Sequence, residues 1–189
     1  QVVKKDMDNM ERIFSEMDYE AFEKAVEMTL EASTVYIIGL RSSSFLAGYL
    51  AFYLNFLLDD VKLITTGPND VFEQLLKANK GDVVIGISYP RYSKRTLEAL
   101  DYVKEKGCKI IGITDSLLSP AAQYADTTLI ASSNMLSFVD SLVAPMSLIN
   151  GFIVAVSMEK KEDITTYFED LEYIWKKHDV YTSNNKKLN

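Results

Sequence analysis

Five short runs of mostly branched aliphatic residues restrict what this chain can fold into: Val35-Tyr-Ile-Ile-Gly-Leu, Val61-Lys-Leu-Ile-Thr, Val83-Val-Ile-Gly-Ile-Ser, Lys109-Ile-Ile-Gly-Ile-Thr and Thr127-Thr-Leu-Ile-Ala. Most are nearly continuous rather than alternating, which is how strands buried on both faces of a parallel sheet read. Helical patterns fill the intervals, at Ser42 to Leu58, Asn69 to Lys77, Ser93 to Lys106 and, briefly, Ser119 to Tyr124. Within Ser93 to Lys106, the residues Leu97, Leu100 and Val103 share a face opposite the charges, and Gly107 stands where a helix stop belongs. Strand–helix alternation with short links predicts right-handed βαβ units and hence an α/β three-layer sandwich around a five-stranded parallel sheet.

Further helical stretches flank this core. Asp6 to Met17 and Tyr19 to Ala32 precede the first strand, separated by Asp18 as an N-cap; Leu136 to Met158 and Glu162 to Lys177 follow the last. With 189 residues, no interior linker and no fixed-period repeat, the expectation is a single domain over 1–180. Its core spans 34–131, its flanking helices 6–32 and 136–177, and a polar tail covers 181–189. The longest apolar stretch, Leu142 to Met158, is interrupted by Pro145, Ser147, Asn150 and Gly151 and falls short of the ~18–20 apolar residues of a membrane span. No membrane partner is expected. The large residues in and just before it, among them Phe138, Leu142, Met146, Ile149, Phe152 and Ile153, are too many for one half-exposed face, so core burial plus a self-association surface is expected. The N-terminal residues carry no signal-peptide pattern, and a chain starting at Gln1 is expected to be a fragment or a processed product.

Charge and rare residues narrow the function. Twenty Lys+Arg against 27 Asp+Glu give a net charge of -7, which offers a polyanion no general attraction. The one cysteine, Cys108, cannot form an internal disulfide, which favours a cytoplasmic setting. With His178 as the one histidine, a Cys/His zinc site or a Cys–His nucleophilic pair has almost no material, and no metal or cofactor is expected.

Ligands of open parallel sheets bind beyond the carboxyl ends of the strands. After the first strand comes Gly39-Leu40-Arg41-Ser42-Ser43-Ser44, and after the third Ser88-Tyr89-Pro90-Arg91-Tyr92-Ser93-Lys94-Arg95-Thr96, each leading into a helix. Free N–H groups at helix starts, hydroxyl donors and arginine all suit a phosphate or carboxylate. Of the four arginines, Arg41, Arg91 and Arg95 fall in these two loops and only Arg12 lies elsewhere. In an acidic chain that concentration points to a small anionic ligand. The plainer alternative is that Ser42, Ser44 and Ser93 are N-caps and the arginines pair with surface acids.

The Gly-x-x-x-Ser start of the first helix and the string Ile87-Ser-Tyr-Pro-Arg-Tyr-Ser-Lys-Arg-Thr96 resemble the sugar isomerase (SIS) domain, in particular that of RpiR-type transcriptional regulators. The resemblance runs from about Val35 to Ile130. It implies a flavodoxin-like sheet, a phosphosugar ligand and association as a homodimer or tetramer. It also implies DNA contact only through a helix-turn-helix module N-terminal to Gln1. By position, the family's phosphate-binding hydroxyls fall at Ser42, Ser44, Ser88, Ser93 and Thr96; Arg41, Ser43 and Arg91 complete the expected ligand-binding set. The chain departs from the family's Ser-x-Ser-Gly-x-Thr pattern, because Pro90 removes a hydroxyl and an N–H and Arg91 replaces a flexible glycine. That change favours sensing over isomerisation.

A phosphosugar isomerase is the alternative. It needs a base beside the carbon that loses a proton. His178 sits at the end of the last helix, and Glu73 and Glu98 lie in helical patterns where acids are ordinarily solvated, so no catalytic residue is assigned. Tyr89 and Tyr92 either stack on a sugar ring or cover the sheet edge. A third reading is a dimerisation domain with a vestigial pocket.

Overall fold

The computed structural model describes residues 1–134 and 138–181, with 161–167 described through their backbone. Five strands form one sheet: β1 (Val35–Ile38), β2 (Val61–Ile64), β3 (Val83–Ile87), β4 (Lys109–Thr114) and β5 (Thr127–Ile130). Their order is β2-β1-β3-β4-β5, and every pairing is parallel. This flavodoxin-like order reverses direction between β1 and β3. Ile38 lies opposite Gly86, so the two strands end almost level and their outgoing loops diverge over the sheet edge.

Helices cover both faces, as the two-sided burial of the central strands requires. On one side lie α2 (Tyr19–Glu31), α3 (Ser43–Leu57) and α6 (Val143–Glu159), with α1 (Val2–Glu16) and α7 (Lys161–Lys177) packed outside them. On the other lie α4 (Val71–Gln74) and α5 (Lys94–Glu105). The strands divide their side chains between two cores. Val35, Ile37, Ile85 and Ile113 pack with Leu50 and Phe152. Tyr36, Ile38, Val84 and Ile110 pack with Leu100 and Val103. A Cβ at Gly86 would lie 2.6 Å from the side chain of Leu100, so a glycine in β3 is what lets α5 lie close on the sheet.

The expected three-layer sandwich is present, with differences at its edges. Lys62 and Leu63 of β2 are exposed, because β2 closes the sheet on one side and has one strand neighbour. The helix expected at Ser119 to Tyr124 is a series of turns closed by bonds such as Ala122 N–H to the Ser119 carbonyl. Pro120 lacks an N–H there, and the Ser116 and Ser119 hydroxyls accept from the N–H groups of Leu118 and Ala122. The helix expected over Asn69 to Lys77 is confined to Val71–Gln74 by a capping box of Asp70 and Glu73, followed by turns. The expected start at Leu136 lies outside the described residues; α6 begins at Val143, with Pro145 in its first turn, where a missing N–H breaks no helical bond. Residues 182–189 of the expected tail also lie outside the described residues.

Candidate functional site

Beyond the carboxyl ends of β1 and β3 lies a cavity of about 200 Å³. Leu40, Arg41, Ser42 and Ser43 line it from the β1–α3 connection. Tyr89, Pro90, Arg91 and Ser93 line it from the β3–α5 connection, and Asp140 from the segment before α6.

The first wall depends on Gly39. A Cβ there would lie 2.7 Å from the backbone oxygen of Ser43, so only glycine lets α3 begin this close to the strand end. Arg41 then takes a left-handed backbone with φ of 58°. Its carbonyl accepts the Ser44 N–H at 3.1 Å and the Ser44 hydroxyl at 2.6 Å, which fixes the turn. A non-glycine residue in this region stores about 1–3 kcal/mol of strain. Ser42 stands at the N-cap of α3 but does not cap it; its hydroxyl donates to Asp140 Oδ2 at 2.8 Å. No side chain among the described residues caps the start of α3, and the Ser44 and Phe45 N–H groups bond the Arg41 and Ser42 carbonyls at the positive end of the helix dipole. In the second wall, Ser93 does cap α5, accepting the Thr96 N–H at 3.4 Å, and its own hydroxyl proton remains available to donate.

Charge is unevenly used around the cavity. Among the described residues, Arg41 and Arg91 make no ion pair. Arg95 turns away: it pairs with Asp70, lies 3.6 Å from Glu98, and stacks 4.5 Å over the ring of Phe72. The Phe72 N–H and this guanidinium hold the Asp70 carboxyl below its usual range. So two of the three loop arginines face the cavity, and the third joins α4 to α5. The phenols are neutral. Tyr89 is buried with a hydroxyl that has no partner among the described residues, and burial followed by the Asp115 charge pushes its ionisation up. Tyr92 donates to Asp115 Oδ1 at 2.9 Å, and burial together with that bond pushes it up to about 12.

Of the eight residues expected to bind ligand, Arg41, Ser42, Ser43, Arg91 and Ser93 line the cavity. Ser44 is exposed and bonded to its own turn. Ser88 and Thr96 are buried with hydroxyl oxygens that have no partner among the described residues. Neither carboxylate weighed for isomerisation is at the cavity: Glu73 accepts the Asp70 N–H at 3.0 Å, and Glu98 pairs with Lys94 and Arg95. His178 is exposed at the end of α7. Asp140 was missed, because the sequence pattern runs it into a helix from Leu136 and gives no sign that the segment 138–142 crosses over the β1–α3 turn.

That segment is tied in two directions. Asp140 faces the cavity, while the Ser141 hydroxyl donates to Asp6 Oδ1 of α1. The Ser133 hydroxyl donates to the Ser141 carbonyl at 2.8 Å, and the Asn134 amide donates to Asn9 Oδ1 at 3.0 Å. No helix among the described residues is long and apolar enough to cross a membrane, and no group of three His, Cys, Asp or Glu side chains among them could hold a metal.

A family model described as SIS domain matches residues 29–155. The chain belongs to the SIS domain family. Its architecture matches that of the sugar isomerase domain of an RpiR transcription factor from Sphaerobacter thermophilus, with a TM-score of 0.86 and 27% identity over 92% of this chain and 97% of that one. The Vibrio vulnificus NanR protein, solved in complex with ManNAc-6P, shares the SIS fold at a TM-score of 0.80 and 15% identity, over 96% of this chain and 69% of that one. In sequence the chain is 29% identical over 161 residues to an HTH-type transcriptional regulator of Caldanaerobacter subterraneus subsp. tengcongensis, covering 82% of this chain and 56% of the relative. It spans about half the length of the curated relatives it matches. The likeness to the SIS domains of RpiR-type regulators, read first from the β3–α5 loop, is therefore borne out across the chain.

Proposed function

We propose that this chain is the phosphosugar-sensing part of an HTH-type transcriptional regulator, binding its effector in the cavity between the β1–α3 and β3–α5 connections. One observation carries the reading: in a chain of net charge -7, two guanidiniums without an ion pair among the described residues line a cavity at the starts of two helices. Arg41 and Arg91 supply bidentate donors for a phosphate, and Ser42, Ser43 and Ser93 supply hydroxyls. Ser44, Ser88 and Thr96 support the two loops, Ser44 by fixing the Arg41 turn. The relatives in sequence are HTH-type transcriptional regulators, and the fold is shared with the NanR protein solved in complex with ManNAc-6P. DNA contact belongs to a module outside this chain, in keeping with the acidity of the sensing part. A single domain over 1–180, a cytoplasmic setting and a homodimer or tetramer complete the reading.

Calorimetry against a panel of hexose and pentose phosphates tests it. At least one is expected to bind, with Arg91→Ala weakening it about tenfold or more. The absence of both heat and thermal shift with every member of the panel overturns the reading. The Asp140 carboxylate in the cavity favours isomerisation as the second reading. Turnover of any of these phosphates, abolished in Asp140→Asn, is the result that would establish it.

A further inference from the structure

The cavity combines two features that a simple anion site would not. Arg41 and Arg91 attract an anion, yet Asp140 places a carboxylate in the lining of the same cavity. Among the described residues, the Ser42 hydroxyl supplies the hydrogen bond of this carboxylate at Oδ2, and Oδ1 is buried without a partner. Ser42 has a single hydroxyl proton. When a phosphate takes that proton, Asp140 is left with a charge, no donor on either oxygen, and an anion nearby. A buried acceptor stripped of its donor, more so a charged one, is costly.

We infer that Asp140 is a specificity-determining residue: its Oδ2 exchanges the Ser42 hydroxyl for a hydroxyl or amino group of the ligand while the phosphate takes Ser42 and the arginines. The inference rests on the reading of the cavity as a phosphosugar site and names what else that ligand must carry. The phosphate end meets Arg41, Arg91 and the start of α3, and the donor-bearing end meets Asp140. An anion with no such donor leaves the carboxylate stranded and binds weakly, however well the arginines are arranged. Sugar phosphates, which carry hydroxyl or amino groups, meet both requirements.

The test is calorimetry of the wild-type chain, Asp140→Asn and Asp140→Ala with two kinds of probe: methyl phosphate, whose ester carbon bears no donor, and the tightest binder from the hexose and pentose phosphate panel. Circular dichroism confirms that each variant folds. In the wild type the sugar phosphate binds more tightly than methyl phosphate. In both variants it is expected to lose about tenfold or more, the value of a hydrogen bond to a charged group. Methyl phosphate is expected to bind the variants at least as tightly as the wild type, because a like charge has been removed. Equal weakening of both probes, or an unchanged ratio between them, overturns the role of Asp140 and leaves the phosphosugar reading standing. Failure of the wild type to bind either probe overturns both.

Discussion

Arg41 shows how one residue can be placed against its own preference. Its φ of 58° suits glycine, and its guanidinium lines the cavity. Arg41→Gly is therefore expected to raise the thermal midpoint by roughly 2–4 °C, for about 1 kcal/mol of relieved strain. The same variant is expected to bind a phosphate ester about tenfold more weakly, so melting and calorimetry should move in opposite directions. Tyr92 makes a second residue-scale prediction. Its neutral form is favoured in the fold, where it titrates at about 12 against an ordinary value of 10.0. Its contribution to stability is complete below the unfolded value and is lost as pH rises through about 12. In urea titrations the stability difference between wild type and Tyr92→Phe is expected to shrink across that window; a constant difference would show that the Asp115 bond does not hold the phenol neutral. Residue identities announced the cavity in part. Arg41 and Arg91 were legible as an unusual pair in an acidic chain, but that Arg95 turns to Asp70 and Phe72 was not, because that depends on how α4 sits beside α5.

At the scale of elements, the strands were legible because burial on both faces leaves a continuous aliphatic run, which few other environments demand. The short pieces were less so. Ser119 to Tyr124 has helical composition, yet serine hydroxyls and Pro120 break it into turns, a competition decided by side-chain geometry rather than residue type. The capping box that opens α4 reads from Asp70 and Glu73, but the early stop of that helix carries no comparable signal. The junction of β1 and α3 is the element pair on which the cavity depends, and it rests on a close approach at Gly39. Gly39→Ala forces the Ser43 carbonyl away and is expected to cost about 1–3 kcal/mol. Because the displaced carbonyl belongs to the first turn of α3, the variant is also expected to weaken ligand binding under conditions where it is fully folded. Denaturant unfolding and calorimetry check the two halves separately, and a variant of unchanged stability would refute the tight junction.

The whole molecule sets a net negative charge around a cavity lined by two guanidiniums that make no ion pair among the described residues, so attraction for anions is local and a small ligand is favoured over an extended polyanion. A second large-scale feature lies on the outside of α3, where Phe45 and Phe52 are exposed and the Phe52 ring packs edge-on against Tyr53 and Phe56. Val154 and Met158 of α6 are exposed as well. In the stretch after Ser137, from which core burial plus a self-association surface is expected, Ile149, Phe152 and Ile153 are buried while Phe138 and Val143 are exposed, and α3 adds an aromatic surface. Sedimentation at micromolar concentration is expected to show a dimer, with Phe52→Glu shifting it to monomer; a wild type that stays monomeric would leave this face without a partner copy. Asp140 and Ser141, neighbours in the chain, bind the β1–α3 turn and the first helix respectively. A displacement of one is a pull on the other, and such linkage has no preferred direction. On the proposed reading of the cavity, a restraint on Val2–Glu16 is therefore expected to change how tightly a phosphosugar is held.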